Sequence, residues 1–99
     1  MSRRVRTTAH ADTDIRSIAQ RIARDNNNAA AKWIDDLDRE FSKIAQTPGI
    51  GTDRSDLRPN LRSVAFGKYL LFFTYSRTRV IITRVIHGAR DYPRLFDKQ

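Results

Sequence analysis

Three short apolar runs constrain this chain more than any other feature: Leu61 to Phe66, Tyr69 to Tyr75 and Val80 to Ile86. Gly67-Lys68 separates the first two, and Ser76-Arg77-Thr78 separates the second run from a third strand that opens at Arg79. Strands joined by two or three turn residues run antiparallel, because a parallel return needs a crossover of about a dozen residues. The runs therefore predict a three-strand meander over residues 61–87. In its middle strand Tyr69, Leu71, Phe73 and Tyr75 share one face, and Leu70, Phe72 and Thr74 share the other. A sheet with helices on one side only should carry a polar outer face. Here both faces are apolar, so the second needs cover. The tail supplies part of it through Leu95 and Phe96, and a partner chain is expected to supply the rest.

The N-terminal half predicts what covers the first face. Arg4, Val5, Arg6 and Thr7 suit a short strand at a sheet edge. Thr8 or Asp12 then caps a helix whose apolar stripe is Ile15, Ile18, Ala19, Ile22 and Ala23. Arg16, Arg21 and Arg24 lie off that stripe and read as solvated. Asp25-Asn26-Asn27-Asn28 breaks the pattern, since asparagine tolerates the left-handed conformation that ends one helix and also caps the next. Ala30, Trp33, Ile34, Leu37, Phe41, Ile44 and Ala45 form a second stripe, stopped by Pro48, Gly49 and Gly51. So short a connection implies an antiparallel helical hairpin.

The expected fold class is thus α+β. Residues 1–8 form an edge strand, 9–46 a helical hairpin on one face of a small, mainly antiparallel sheet, 47–60 a loop, 61–87 the meander and 88–99 a tail. Ninety-nine residues make one domain with one core. No cysteine is present, which excludes disulfides, thiol nucleophiles and cysteine-built zinc sites. His10 and His87 are too far apart in sequence to suggest a metal site, and no cofactor is expected. The apolar runs are far shorter than a membrane span, and no signal peptide is evident, so a cytoplasmic location is expected.

The net charge of +8 is unevenly placed. Residues 1–51 hold nine basic and seven acidic groups, a net +2; residues 52–99 hold ten and four, a net +6. An arginine-biased half suits phosphate or carboxylate partners, so nucleic acid and an acidic protein both fit, beside a merely solvated basic surface.

Several motifs in fixed order carry a resemblance. They are Ala11-x-x-Asp14-Ile15, Ala30 to Leu37, Pro48-x-x-Gly51, Asp56-Leu57-Arg58-x-x-Leu61-Arg62, Tyr69 to Tyr75, and Arg84 through Asp91. In order and spacing the chain resembles toxins of the ParE/RelE superfamily of bacterial toxin–antitoxin modules, closest to the ParE branch. The resemblance implies neutralisation by a cognate antitoxin whose acidic C-terminal segment wraps the toxin in a hetero-oligomer. ParE-like members poison DNA gyrase by binding it; RelE-like members cut messenger RNA. The ParE-like reading implies no catalytic residue and no direct specific DNA binding. The antitoxin would meet Arg58, Arg62, Leu70, Phe72 and Arg84, and the target would meet Arg90, Asp91, Arg94, Leu95 and Phe96.

The nuclease alternative needs a base, an acid and cations on the phosphate. His87 is the candidate acid or base, because histidine is the side chain suited to proton transfer near neutral pH, and Arg62, Arg84 and Arg90 are the candidate cations. Strand alternation puts His87 on the face of Val85 and Thr83, with Arg84 opposite. Nuclease members carry Lys, Arg, Glu or Tyr clusters on the open sheet face and near the C-terminus; here only Lys68 and Tyr92 could add to the set. More structural roles stand beside these. In these readings His87 shapes the strand end, Arg90-Asp91 is a local ion pair, and Arg58 and Arg62 tie the loop at Pro48 to the sheet through Asp53 or Asp56.

Overall fold

The computed structural model describes residues 3–90 and 92–96. In order these form β1 (Arg4–Thr7), α1 (Ala9–Asp25), α2 (Asn27–Gln46), a single 3-10 turn (Pro48–Ile50), β2 (Thr52–Asp53), β3 (Arg62–Phe66), β4 (Tyr69–Tyr75), β5 (Arg79–His87) and α3 (Pro93–Phe96). The sheet runs β1-β5-β4-β3-β2, with β1 parallel to β5 and every other pairing antiparallel. The meander, the helical hairpin and the edge position of β1 all match the expectation. The two-residue β2, hidden within a charged stretch, does not appear in the apolar pattern.

Caps set the helix ends. Thr8 Oγ1 accepts the Ala11 amide at 3.1 Å, and Asn26 Oδ1 accepts the Ala29 amide at 3.1 Å. Asn26 also closes α1 by donating its own amide to Ile22, but with extended backbone (φ −163°) rather than the left-handed turn expected of it. The Phe66–Tyr69 hairpin turns through Gly67, whose φ of +57° suits a residue without Cβ.

On the helix side, Leu71, Phe73, Val80, Ile82 and Val85 pack with Ile18, Leu37 and Ile44 into the main core. Trp33 lies at its rim against Phe66 (5.9 Å between ring centroids) and Tyr69 (5.7 Å).

The opposite face departs from expectation. Phe72 is fully buried without any partner chain, in a second cluster with Leu61, Ile86 and Phe96. Leu57, Leu70, Tyr92 and Leu95 pack around it. Phe96 in α3 stacks on Phe72 at 5.0 Å, and Tyr92 approaches the same ring at 5.6 Å. Two arginines from the 54–60 loop complete the lid. Arg54 lies over Tyr92 (5.1 Å) and donates to its hydroxyl at 2.8 Å, while Arg58 lies over Phe96 (5.3 Å). Their cations stack on aromatic faces, so charged residues close an apolar surface. Ile50 and Tyr75 are the large hydrophobics that remain exposed among the described residues.

Candidate functional site

The end of β5 is where the chain gathers its polar groups. Opposite Phe72 and Phe73 the ladder slips: Phe72 faces Arg84 and Phe73 faces Ile82, so Thr83 is an extra residue. The bulge resets the alternation. Val80 and Ile82 face the helices before it, and Val85 after it, while Ile86 faces the second cluster. Thr83 therefore does not share a face with Val85 and His87 as simple alternation predicted.

Beyond the bulge β1 has ended, and α1 takes its place along the β5 edge. Thr8 Oγ1 donates to the Thr83 carbonyl at 2.9 Å. Asp14 then accepts three hydrogen bonds: Arg84 Nε at 2.8 Å and the Val85 amide at 2.9 Å on Oδ2, and Arg84 Nη2 at 3.1 Å on Oδ1. Both side chains of this pair are largely buried. Asp14 thus does the work a neighbouring strand would do, satisfying a β5 amide while pairing with the arginine beside it. Sequence reasoning missed this role, although Asp14 belongs to the first-helix motif.

His87 sits one step further on. Its ring meets Tyr69 edge-on at 5.4 Å, and its Nδ1 accepts the Ala89 amide at 3.0 Å. The Arg90 amide donates to the His87 carbonyl at 3.0 Å, and the Gly88 amide to the Lys68 carbonyl at 2.8 Å. His87 therefore organises the turn that ends the meander. His87 and Arg90 also line a cleft of about 270 Å³ with Asp14, Ser17, Arg21 and Tyr69. Arg21, read as a solvated residue in the sequence, is brought here because Asp14, Ser17 and Arg21 recur at helical spacing on one side of α1.

The remaining candidates are elsewhere. Arg62 donates to the Gly49 carbonyl at 3.4 Å and to that of Gly51, so it ties the loop to β3 through backbone oxygens rather than through Asp53 or Asp56. Gly51 itself is pressed against the core: a Cβ there would lie 2.8 Å from the Phe73 ring. Asp53 instead accepts the Ser55 amide at 2.7 Å, and hydrogen bonds from Ser55 hold its carboxyl below the usual range, with a smaller contribution from the Arg62 charge. Tyr92 is engaged by Arg54 on the far face, away from His87. Of the proposed nuclease set, only His87 and Arg90 come together; Arg84 is committed to Asp14, and Arg62 lies on β3, two strands away from β5.

Among the expected antitoxin contacts, Phe72 is wholly enclosed, Arg58, Arg62 and Arg84 are half-buried in internal interactions, and Leu70 is half-buried at the margin of the second cluster. Of the expected target contacts, Phe96 is core, Leu95 is half-buried against it, Arg90 and Arg94 are exposed, and Asp91 lies outside the described residues. The anticipated Arg90–Asp91 ion pair falls outside them too. No cluster of metal-ligating side chains occurs among the described residues, and no helix among them is long and apolar enough to cross a membrane.

The family described as ParE toxin of type II toxin–antitoxin system, parDE, matches residues 5–92, nearly the whole chain. The chain belongs to this ParE toxin family. Toxin ParE3 of Caulobacter vibrioides is 26% identical over 89 residues, covering 89% of each sequence. The fold of this toxin is also that of a chromosomal ParDE system from P. aeruginosa, with a TM-score of 0.71 at 17% identity over 87% of this chain and 96% of that one. The toxin–antitoxin complex RelBE2 from Mycobacterium tuberculosis gives a TM-score of 0.60 at 25% identity, over 88% and 99%. The α+β architecture is therefore the ParE/RelE toxin fold, and this chain is a type II toxin.

Proposed function

We propose that this toxin inhibits DNA gyrase by protein–protein binding, without catalysis, and is neutralised by a ParD-like antitoxin. The observation that carries the non-catalytic part is the far face of the sheet. Nuclease relatives need charged and tyrosyl groups open there; here Leu61, Phe72, Ile86 and Phe96 fill it, closed over by the chain's own tail. The one acid–base side chain packed against this apolar cluster among the described residues, Tyr92, has its hydroxyl engaged by Arg54. Of the four candidate nuclease residues, Arg62 and Arg84 are engaged away from His87, so the expected set is not assembled and only Arg90 of it shares the His87 cleft.

The antitoxin reading draws on the family and on relatives described as toxin–antitoxin systems. An acidic C-terminal segment complements a half that carries ten basic and four acidic groups. Its contacts would be Leu70 and the accessible parts of Arg58, Arg62 and Arg84; Phe72 becomes available only if the tail lifts. Target contact is assigned to the C-terminal stretch, through Arg90, Asp91, Arg94 and the exposed part of Leu95.

One observation keeps the RNA-cutting alternative in view: His87 and Arg90 do share a cleft. Expression of His87→Gln separates the two. Under the binding model the variant stays toxic and induces the DNA-damage response; loss of toxicity with a folded protein, together with loss of messenger RNA cleavage, would establish the nuclease.

A further inference from the structure

We propose that the cleft between α1 and the C-terminal end of β5 is a binding site for a phosphate-monoester-class dianion. Four of the residues that line it carry hydrogen-bond donors: Arg21, Arg90, Ser17 and His87. In neutral His87 the Nδ1 that accepts the Ala89 amide carries no proton, so Nε2 is the donor. Arg21 and Arg90 form no ion pair among the described residues. The one carboxylate in the wall among the described residues, Asp14, pairs with Arg84 and the Val85 amide instead. Arg84 also cancels its charge. The cleft of about 270 Å³ therefore holds two positive charges that no carboxylate pairs with among the described residues, and it has room for one tetrahedral oxyanion and its first substituent.

Charge and donor number favour phosphate over the alternatives. A carboxylate brings one charge and two oxygens, too few for two guanidiniums, a hydroxyl and an imidazole N–H. A phosphodiester also brings a single charge. A monoester dianion matches both arginines and offers three free oxygens. Tyr69, which holds the His87 ring edge-on, forms an aromatic wall beside the site. None of this depends on whether gyrase is the target.

The test is an NMR titration of the full-length toxin with inorganic phosphate at fixed ionic strength, following the His87 imidazole and the Ser17 and Ala89 amides. Acetate and dimethyl phosphate serve as the one-charge comparisons. Saturable shifts confined to the cleft are expected, with phosphate binding about tenfold tighter than either comparison ion. Arg21→Gln and Arg90→Gln should each weaken phosphate by about tenfold. Arg24→Gln, at an exposed position of α1 outside the cleft, should change it by less than about twofold. Both cleft arginines are exposed, so the fold should survive their replacement. Non-saturating shifts, equal binding of acetate or dimethyl phosphate, or indifference to both substitutions would overturn the proposal.

Discussion

Removing the Phe96 ring tests whether the tail truly seals the far face. Phe96 is 5% exposed, stacks on Phe72 at 5.0 Å and lies beneath the Arg58 guanidinium at 5.3 Å. Burial of a phenylalanine contributes about 1.5–3 kcal/mol, an aromatic pair about 0.5–1.5 and a cation over a ring about 0.5–1. A closed core would make Phe96→Ala cost about 3–5 kcal/mol. Phe96 is held by a four-residue helix beyond the last strand, however, so the tail can peel away and cap the loss. The expected destabilisation is about 3 kcal/mol, or on the order of 10–20 °C in Tm for a domain of this size. Trp33, the single tryptophan, sits against Phe66 and Tyr69 on the helix side and reports global unfolding in urea rather than tail movement. Uncovered Phe72, Leu61 and Ile86 should also raise binding of an apolar dye. A shift below about 0.5 kcal/mol with no added dye binding would mean that the tail does not cover the sheet, and the reasoning would fail.

Asp14→Ala should cost about 3–5 kcal/mol in urea unfolding, because it strands a largely buried Arg84 and the Val85 amide; a double-mutant cycle with Arg84→Met should recover part of that loss. Gly51→Ala should destabilise by about 1–3 kcal/mol in thermal melts, since the new methyl group meets the Phe73 ring and the Arg62 Cβ. Acid unfolding should show a contribution from Asp53. Its carboxyl titrates below the ordinary 3.8, so its stabilisation is complete above that value and is lost as pH falls through the folded one. Asp53→Asn should accordingly flatten the stability–pH curve below about pH 4, and an unchanged curve would remove Asp53 from the account.

What could be read from the sequence was whatever apolar spacing encodes. Gly67-Lys68 and Ser76-Arg77-Thr78 announced the hairpins, and the stripes of α1 and α2 announced the helical pair. The alternation of Tyr69 to Tyr75 rightly marked both sheet faces as apolar. The lid on the second face stayed hidden, because Arg54 and Arg58 count as charge in a composition while their cations stack on Tyr92 and Phe96 in the fold. The expectation that a partner chain must help cover this face followed from that blind spot; an antitoxin partner is supported on other grounds, by the family and its toxin–antitoxin relatives. At the site, the motif around His87 was visible, but the bulge at Thr83 was not, and it alone shifts which residues share a face. The Asp14–Arg84 pair spans seventy residues of sequence and has no local signal.

The most direct test of binding without chemistry is a plasmid supercoiling assay with purified gyrase, ATP and increasing amounts of toxin, run beside the same toxin on messenger RNA in translating ribosomes. Dose-dependent inhibition of supercoiling, relieved by the cognate antitoxin and accompanied by intact RNA, is the predicted result. Unimpeded gyrase with cleaved RNA would contradict it.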